Sequence, residues 1–209
     1  MQTRTYGDLF KLASALIGTG GQLSDGEQDQ LSHFINRRFS EIFNASPSWP
    51  RYVVVGESRT VIADQIIQTS ESGLSNIGEF VRIHRTRPLL NRSALEYEFY
   101  VSALGAHILN QVSTTEGTAW ATYKKEFTPF TVTSDYYNST VEVPGEFFNF
   151  ISHAVYADFL RVQNKQEEAL AEEQAAQTFL ALELEKIDIR SNNNTINHKF
   201  STYVNRQSR

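Results

Sequence analysis

The sequence predicts an α+β fold: a helical bundle built from both chain ends, a small antiparallel β lobe inserted between them, and an extended C-terminal tail. Three observations carry that prediction. Both ends of the chain repeat apolar residues at helical three-and-four spacing. The middle breaks into short β-rich runs separated by glycine or polar corners. From Ser191 onward the chain is polar, with only isolated apolar positions. The predicted organisation is N-terminal helices of the bundle over residues 1–47, the inserted lobe over 48–143, a helical hairpin of the same bundle over 144–190, and the tail over 191–209.

Taken in order, residues 6–17 place Leu9, Phe10, Ala13, Leu16 and Ile17 on one helical face, and Gly18-Thr-Gly-Gly21 ends that helix. Ser24-Asp-Gly-Glu27 is a capping-box pattern, in which the serine hydroxyl satisfies a free amide and the glutamate reaches back. A second helix therefore starts there, with Leu31, Phe34, Ile35, Phe39, Ile42 and Phe43 on its apolar face and Pro47 as its stop. Six short runs follow as strands, at residues 52–55, 60–62, 79–83, 97–101, 107–109 and 118–123. Pro144 closes an extended run, since it has no N–H to donate and biases Val143 toward extended geometry. From Phe147 the period changes: Phe147, Phe148, Ile151, Ala154, Val155, Phe159 and Val162 recur at helical spacing. A polar corner at residues 161–166 leads into a second helix, apolar at Ala169, Leu170, Ala176, Phe179, Leu180, Leu184 and Ile187 and acidic on its other face. Helices from both termini must pack on one another, because each is apolar along a single stripe.

Composition excludes several classes. A chain of 209 residues buries roughly 70% of its extended surface on folding and needs no metal or disulfide to do so. It contains no cysteine, so it has no disulfide framework, thiolate zinc site or thiol nucleophile. No apolar run is long enough to span a membrane, and Met1-Gln-Thr-Arg-Thr-Tyr6 lacks the pattern of a signal peptide. The net charge of −5 gives no reason to expect strong nucleic-acid affinity from the chain as a whole.

Charge placement says more than its total. Arg82, Arg85, Arg87 and Arg92, with His84, form an acid-free stretch. Acids dominate residues 167–185, and none follows Asp188, where Arg190, Lys199, Arg206 and Arg209 remain. Opposite patches on one chain permit copies to pair head to tail, because a heterologous interface joins two different surfaces of identical subunits. The competing account is that each run is simply a solvated face.

Catalytic chemistry finds little support. The five histidines fall on separate elements without a metal-ligand spacing, and His153 reads as a solvated or core-edge residue. Gly18-Thr-Gly-Gly21 follows a helix and lacks a Gly-Lys-Ser/Thr ending, so it reads as helix termination and not as a phosphate loop. Glu167, Glu168, Glu172 and Glu173 lie one turn apart and offer oxygen ligands to a hard cation, but an acidic helix face is usually solvated. No pair of carboxylates stands out for hydrolysis of a polysaccharide. No catalytic, cofactor-binding or metal-ligating residue is predicted. Phe147, Phe148 and Phe150 cannot all face one core, so one of them, with Phe148 as the candidate, sits either at a subunit interface or against the β lobe. Trp49 and Trp120 read as packing residues.

The stretch from Tyr123 to Ile187 resembles the C-terminal half of phage head-to-tail adaptor proteins, the connector or joining family that includes the podovirus-like tail tubular protein A type. The matching parts are Tyr123-Lys-Lys125, Val143-Pro-Gly-Glu146, Ala154-Val-Tyr-Ala-Asp-Phe-Leu-Arg161 and residues 169–186. Leu31-Ser-His-Phe-Ile-Asn-Arg-Arg-Phe39 followed by Ser48-Trp-Pro50 is similar to the family's second helix and its Trp-Pro corner. The resemblance implies a structural, non-enzymatic virion protein at the head-tail junction. It would form a ring of its own copies, a dodecamer in the family, bound to the portal protein on one side and a tail or nozzle protein on the other, with DNA passing through and no membrane partner. In that setting the tail residues Ile196, Lys199, Phe200, Tyr203 and Arg206 would dock on the portal. Arg82, Arg85, Arg87, Arg92 and Phe148 would serve subunit or partner contacts, and Glu167, Glu168, Glu172 and Glu173 would face the channel and repel DNA phosphates. A nucleic-acid-binding protein using the Arg82 to Arg92 stretch and the basic tail is the alternative.

Overall fold

A computed structural model of the chain describes residues 3–18, 23–62, 65–88, 90, 95–109, 117–132 and 134–207, with side chains described as far as Ile187. The chain divides into two compact units, one made of Met1–Ser46 with Pro129–Arg209 and the other of Pro47–Thr128.

The first unit opens with strand β1 (Thr3–Thr5), whose last residue caps helix α1 (Tyr6–Ile17). The Asp8 N–H donates to the Thr5 hydroxyl at 3.1 Å and the Thr5 N–H to the Asp8 carboxylate at 3.4 Å, a reciprocal box that satisfies two free amides. Gly18 ends α1 in the left-handed region at φ 79°. Helix α2 (Asp25–Asn44) begins at the box read from the sequence, where the Ser24 N–H donates to Glu27 at 3.0 Å. It ends three residues before Pro47. Across the unit, strand β8 (Glu142–Pro144) pairs antiparallel with β1 and leads directly into helix α3 (Gly145–Val162). Helix α4 (Gln166–Gln207) follows after a corner at Asn164, where φ is 62°. Contacts of His153 with Phe179 and of Arg161 with Glu173 run in opposite directions along the two helices, so α3 and α4 are antiparallel.

The predicted helical bundle with an extended tail is not what forms. Among the described residues the protein is mixed α/β, 46% helical and 26% strand, with four helices and a six-stranded, nearly closed antiparallel sheet, and no helical bundle is evident there. The apolar stripes of α1 and α2 are covered by α3 and also by irregular chain. Phe130 stacks on Phe39 at 4.3 Å and meets Tyr6 edge-on at 5.5 Å, while Tyr136 stacks on Phe10 at 5.2 Å and Tyr137 meets it edge-on at 4.9 Å. Aromatic pairs at such separations bind beyond their area alone. Those rings lie in a stretch assigned to the β lobe by sequence, yet they belong to the helical unit. The tail is likewise helical to Gln207 rather than extended. Residues 188–207 contain neither proline nor glycine, so nothing in the chain stops the helix once α4 has nucleated.

The second unit is the six-stranded sheet, formed by β2 (Val53–Ile62), β3 (Ile66–Ile67), β4 (Ile77–His84), β5 (Phe99–Ser102), β6 (Gly105–Ile108) and β7 (Thr118–Lys125). The strand order is β4-β7-β2-β3-β6-β5, every neighbour antiparallel. The sheet curls back on itself at one end, where the Tyr97 N–H donates to the Ile83 carbonyl at 2.8 Å and the Arg85 N–H to the Leu95 carbonyl at 3.0 Å. The runs expected at residues 52–55 and 60–62 are one strand, bent by a bulge at Gly56, whose φ of 61° a side chain would resist. Gly105 lets β6 approach β3 so closely that a Cβ there would lie 2.1 Å from the Ile67 carbonyl oxygen. Ile67, Ile77, Phe80, Ile83, Ala121 and Tyr123 are among the residues of the core inside the curl.

Candidate functional site

The helical unit holds a buried ionic cluster that ties α2, α3 and α4 together. Arg38 sits on the inward face of α2 between Ile35 and Phe39, and is 5% exposed. Through Nε and one terminal nitrogen it donates to both oxygens of Asp158 at 2.7 Å, the bidentate geometry that guanidinium and carboxylate favour. Its terminal nitrogens also donate to Glu173 at 3.1 and 2.7 Å and to Glu41 at 2.7 Å. Asp158, on α3 and 3% exposed, further receives Arg37 at 2.5 Å and Arg161 at 3.1 Å. Three arginines thus meet three carboxylates. Burial works against the charge on Arg38, but the bonds to Asp158, Glu41 and Glu173 outweigh it and hold its pKa above the ordinary value. A second polar clasp lies further along the same pair of helices, where His153 Nδ1 is 2.7 Å from the Glu172 carboxylate and its ring stacks on Phe179. His153 therefore stands at the edge of the core, one of the two places that its spacing left open.

These contacts decide where the four α4 acids go. Glu172 and Glu173 turn toward α3 and are engaged by His153, Arg38 and Arg161. Glu167 is exposed, and Glu168 makes only a 3.7 Å contact with Lys165. Phe148 is 2% exposed inside its own unit, with the Arg4 guanidinium 4.3 Å above its ring. Phe147 and Phe150 are buried as well, so the unit absorbs all three rings by surrounding α3 on several sides.

In the sheet unit, Arg82 and Arg85 are exposed, Arg82 within 3.3 Å of Glu96, while the Arg87 guanidinium lies 5.6 Å from the centre of the Trp120 ring. Arg92 lies outside the described residues, as do the side chains of Ile196, Lys199, Phe200, Tyr203 and Arg206, whose backbone belongs to α4. Sequence reasoning missed Arg59. It is 1% exposed, and one terminal nitrogen donates to the Tyr123 hydroxyl at 2.7 Å and the Ser75 carbonyl at 2.5 Å and meets Glu57 at 2.8 Å. Its Nε and other terminal nitrogen have no hydrogen-bond acceptor, but the guanidinium lies over the Tyr123 ring, 4.8 Å from its centre. The readable signal was Glu57-Ser-Arg59 on one strand opposite Tyr123 on another.

Both ionic clusters are held mainly by their own partners, so their chemistry is positional. They fix α4 on α3 and stiffen the sheet. Among the described residues no group of three His, Cys, Asp or Glu side chains could hold a metal ion, and no helix is long and apolar enough to cross a membrane. Measured against models of known protein families the chain matches none, and it matches no characterised protein.

Proposed function

We propose that the protein is a structural component of a phage virion, a head-to-tail adaptor that assembles as a ring below the portal, extends the DNA channel and docks the tail. The observation that carries this reading is the length of α4 against the length of its support. At 1.5 Å per residue α4 runs about 60 Å and α3 about 27 Å, from spans of 42 and 18 residues. The ionic clasps at Glu172 and Glu173 and the buried Ala169, Ala176 and Leu180 hold its first half. A helix more than twice as long as the one beneath it suits a second protein as a further partner, and the portal is that partner in the resembling family. A net charge of −5 suits a channel that DNA passes without tight binding.

Negative-stain imaging of the protein mixed with the portal protein encoded beside it tests the reading. Rings stacked coaxially on the portal are expected from the full chain, and none from a chain lacking residues 192–209, whose melting temperature should stay close to the parent's. A large loss of stability on truncation would make the end of α4 part of the core instead. One observation favours a nucleic-acid-binding reading: Arg82 and Arg85 are exposed beside the Arg87–Trp120 pair. That reading requires DNA retention that falls steeply with salt and is lost on Arg82→Glu with Arg85→Glu.

A further inference from the structure

The outer face of α4 is built unlike a solvated helix face. Glu167 and Glu185 lie eighteen positions apart, which is five turns of 3.6 residues, so they stand on one line along the helix. Leu170 and Leu182 flank that line within about 60° on either side, at 58% and 48% exposure. The opposite face is the one that Ala169, Ala176 and Leu180 bury. Besides the face covered by α3, helix α4 therefore exposes two leucines flanking a line that begins and ends in an acid, and among the described residues neither Glu167 nor Glu185 has an ionic partner.

The sheet unit carries the matching features with the charge reversed. Arg82 and Arg85 are exposed at the end of β4. Leu95, which the backbone bond from Arg85 sets next to that arginine, is 68% exposed, and Leu90, whose N–H donates to the Arg87 carbonyl, is 80% exposed. The Arg82–Glu96 contact, between side chains 62% and 54% exposed, contributes little and is easily exchanged. One surface offers carboxylates beside bare leucines; the other offers guanidiniums beside bare leucines. Both are exposed among the described residues, so each is open to another molecule.

We infer that the occupant of the α4 outer face is a second copy of this chain, presenting the Arg82, Arg85, Leu90 and Leu95 surface. Joining two different faces of identical chains gives a heterologous contact, which closes into a ring when the rotation between copies allows. Charge complementarity selects the orientation, and the leucines supply the apolar centre. The inference rests on the ring reading above and deepens it, and it assigns Glu167 to the contact between copies rather than to the channel.

The absence of cysteine from the chain makes a direct test available. A full-length Leu95→Cys/Leu170→Cys double variant, oxidised in solution, should form a ladder of disulfide-linked multimers on a non-reducing gel, because a disulfide forms only where Cα atoms come within about 7 Å. The expected yield is several-fold above that of a Leu12→Cys/Leu170→Cys control, whose first position is exposed on α1. Adding Glu167→Arg with Glu185→Arg should abolish the ladder, and adding Arg82→Glu with Arg85→Glu to the same chain should restore it. Leu90→Cys replaces Leu95→Cys if that variant melts early. A yield equal to the control's, or a ladder indifferent to the charge reversals, overturns the contact. Coaxial rings on the portal without the link would overturn the contact while leaving the adaptor reading intact; the link without rings on the portal would do the reverse.

Discussion

Asp158 is a carboxylate at 3% exposure whose two oxygens are shared by Arg37, Arg38 and Arg161, and Arg38 is nearly as deeply placed. Buried ion pairs seldom raise stability above that of an apolar substitute, but breaking one leaves a charge without compensation. Replacing Arg38 with Met should therefore cost about 3 kcal/mol, measured by urea unfolding, whereas Arg37→Ala, at a side chain 59% exposed, should cost under about 1 kcal/mol. Arg38→Met combined with Asp158→Leu should be less destabilising than Arg38→Met alone; the opposite order would mean that the pair itself stabilises the fold. Tyr6 makes a separate prediction. Burial pushes its hydroxyl from 10.0 up to about 12, partly offset by the bond it donates to Ser32 at 3.0 Å. Because folding favours the neutral form, the stability tied to Tyr6 is full below the ordinary value and is lost as pH climbs toward 12. Two pH units correspond to about 2 to 3 kcal/mol, and Tyr6→Phe should flatten most of the fall seen between about pH 9 and about pH 11.5. Neither group was legible in the sequence as a buried polar residue. Arg38 sits within the apolar spacing of Ile35, Phe39 and Ile42, and Asp158 within that of Val155, Phe159 and Val162, so the clue was a cation and an acid each occupying a core position.

At the scale of elements, what could be read depended on whether a segment has a period. Residues 6–17 were expected as a helix and form α1 with those bounds, because a capping threonine, a full apolar stripe and a terminating glycine agree on one answer. Ser24 and Glu27 likewise start α2 as their spacing requires. The stretch that carries Phe130, Tyr136 and Tyr137 has neither a helical nor an alternating pattern, yet it supplies the aromatic layer over α1 and α2. Its rings are held by tertiary contacts such as the Phe130 N–H donating to Asn36 at 2.8 Å and the Tyr136 hydroxyl to Asp29 at 2.6 Å, and no local pattern encodes those. That omission is why irregular chain joins the helices in covering α1 and α2. The end of α4 was misjudged for a different reason. Its polar residues resemble a solvated tail in composition, whereas helix continuation depends on the absence of breakers, and residues 188–207 have none. The β-rich runs were readable, but the bulge at Gly56 and the two-residue strand Ile66–Ile67 were not, since a bulge spoils alternation and two residues cannot display it.

At the scale of the whole molecule, the chain leaves the helical unit after Ser46 and returns to it at Pro129, so the sheet is one uninterrupted stretch while the helical unit is made of two. An uninterrupted unit with its own core and its own polar cluster has what independent folding requires. The core is the cluster around Ile67, Ile83 and Tyr123, and the cluster is Arg59 with Glu57, Tyr123 and Ser75, all within residues 47–128. Those residues excised as a fragment should give a cooperative thermal transition by circular dichroism, with near-ultraviolet signal from the packed aromatic rings. Arg59→Met in the fragment should lower that transition by about as much as in the full chain, because each of its polar partners is present in both. Residues 1–46 alone should be poorly ordered, since the rings that cover Phe10 and Phe39 come from beyond Pro129. A fragment 47–128 that shows only a gradual, non-cooperative melt would mean that the sheet's stability is borrowed from the helical unit. In that case the truncations used to dissect assembly would have to keep both units together.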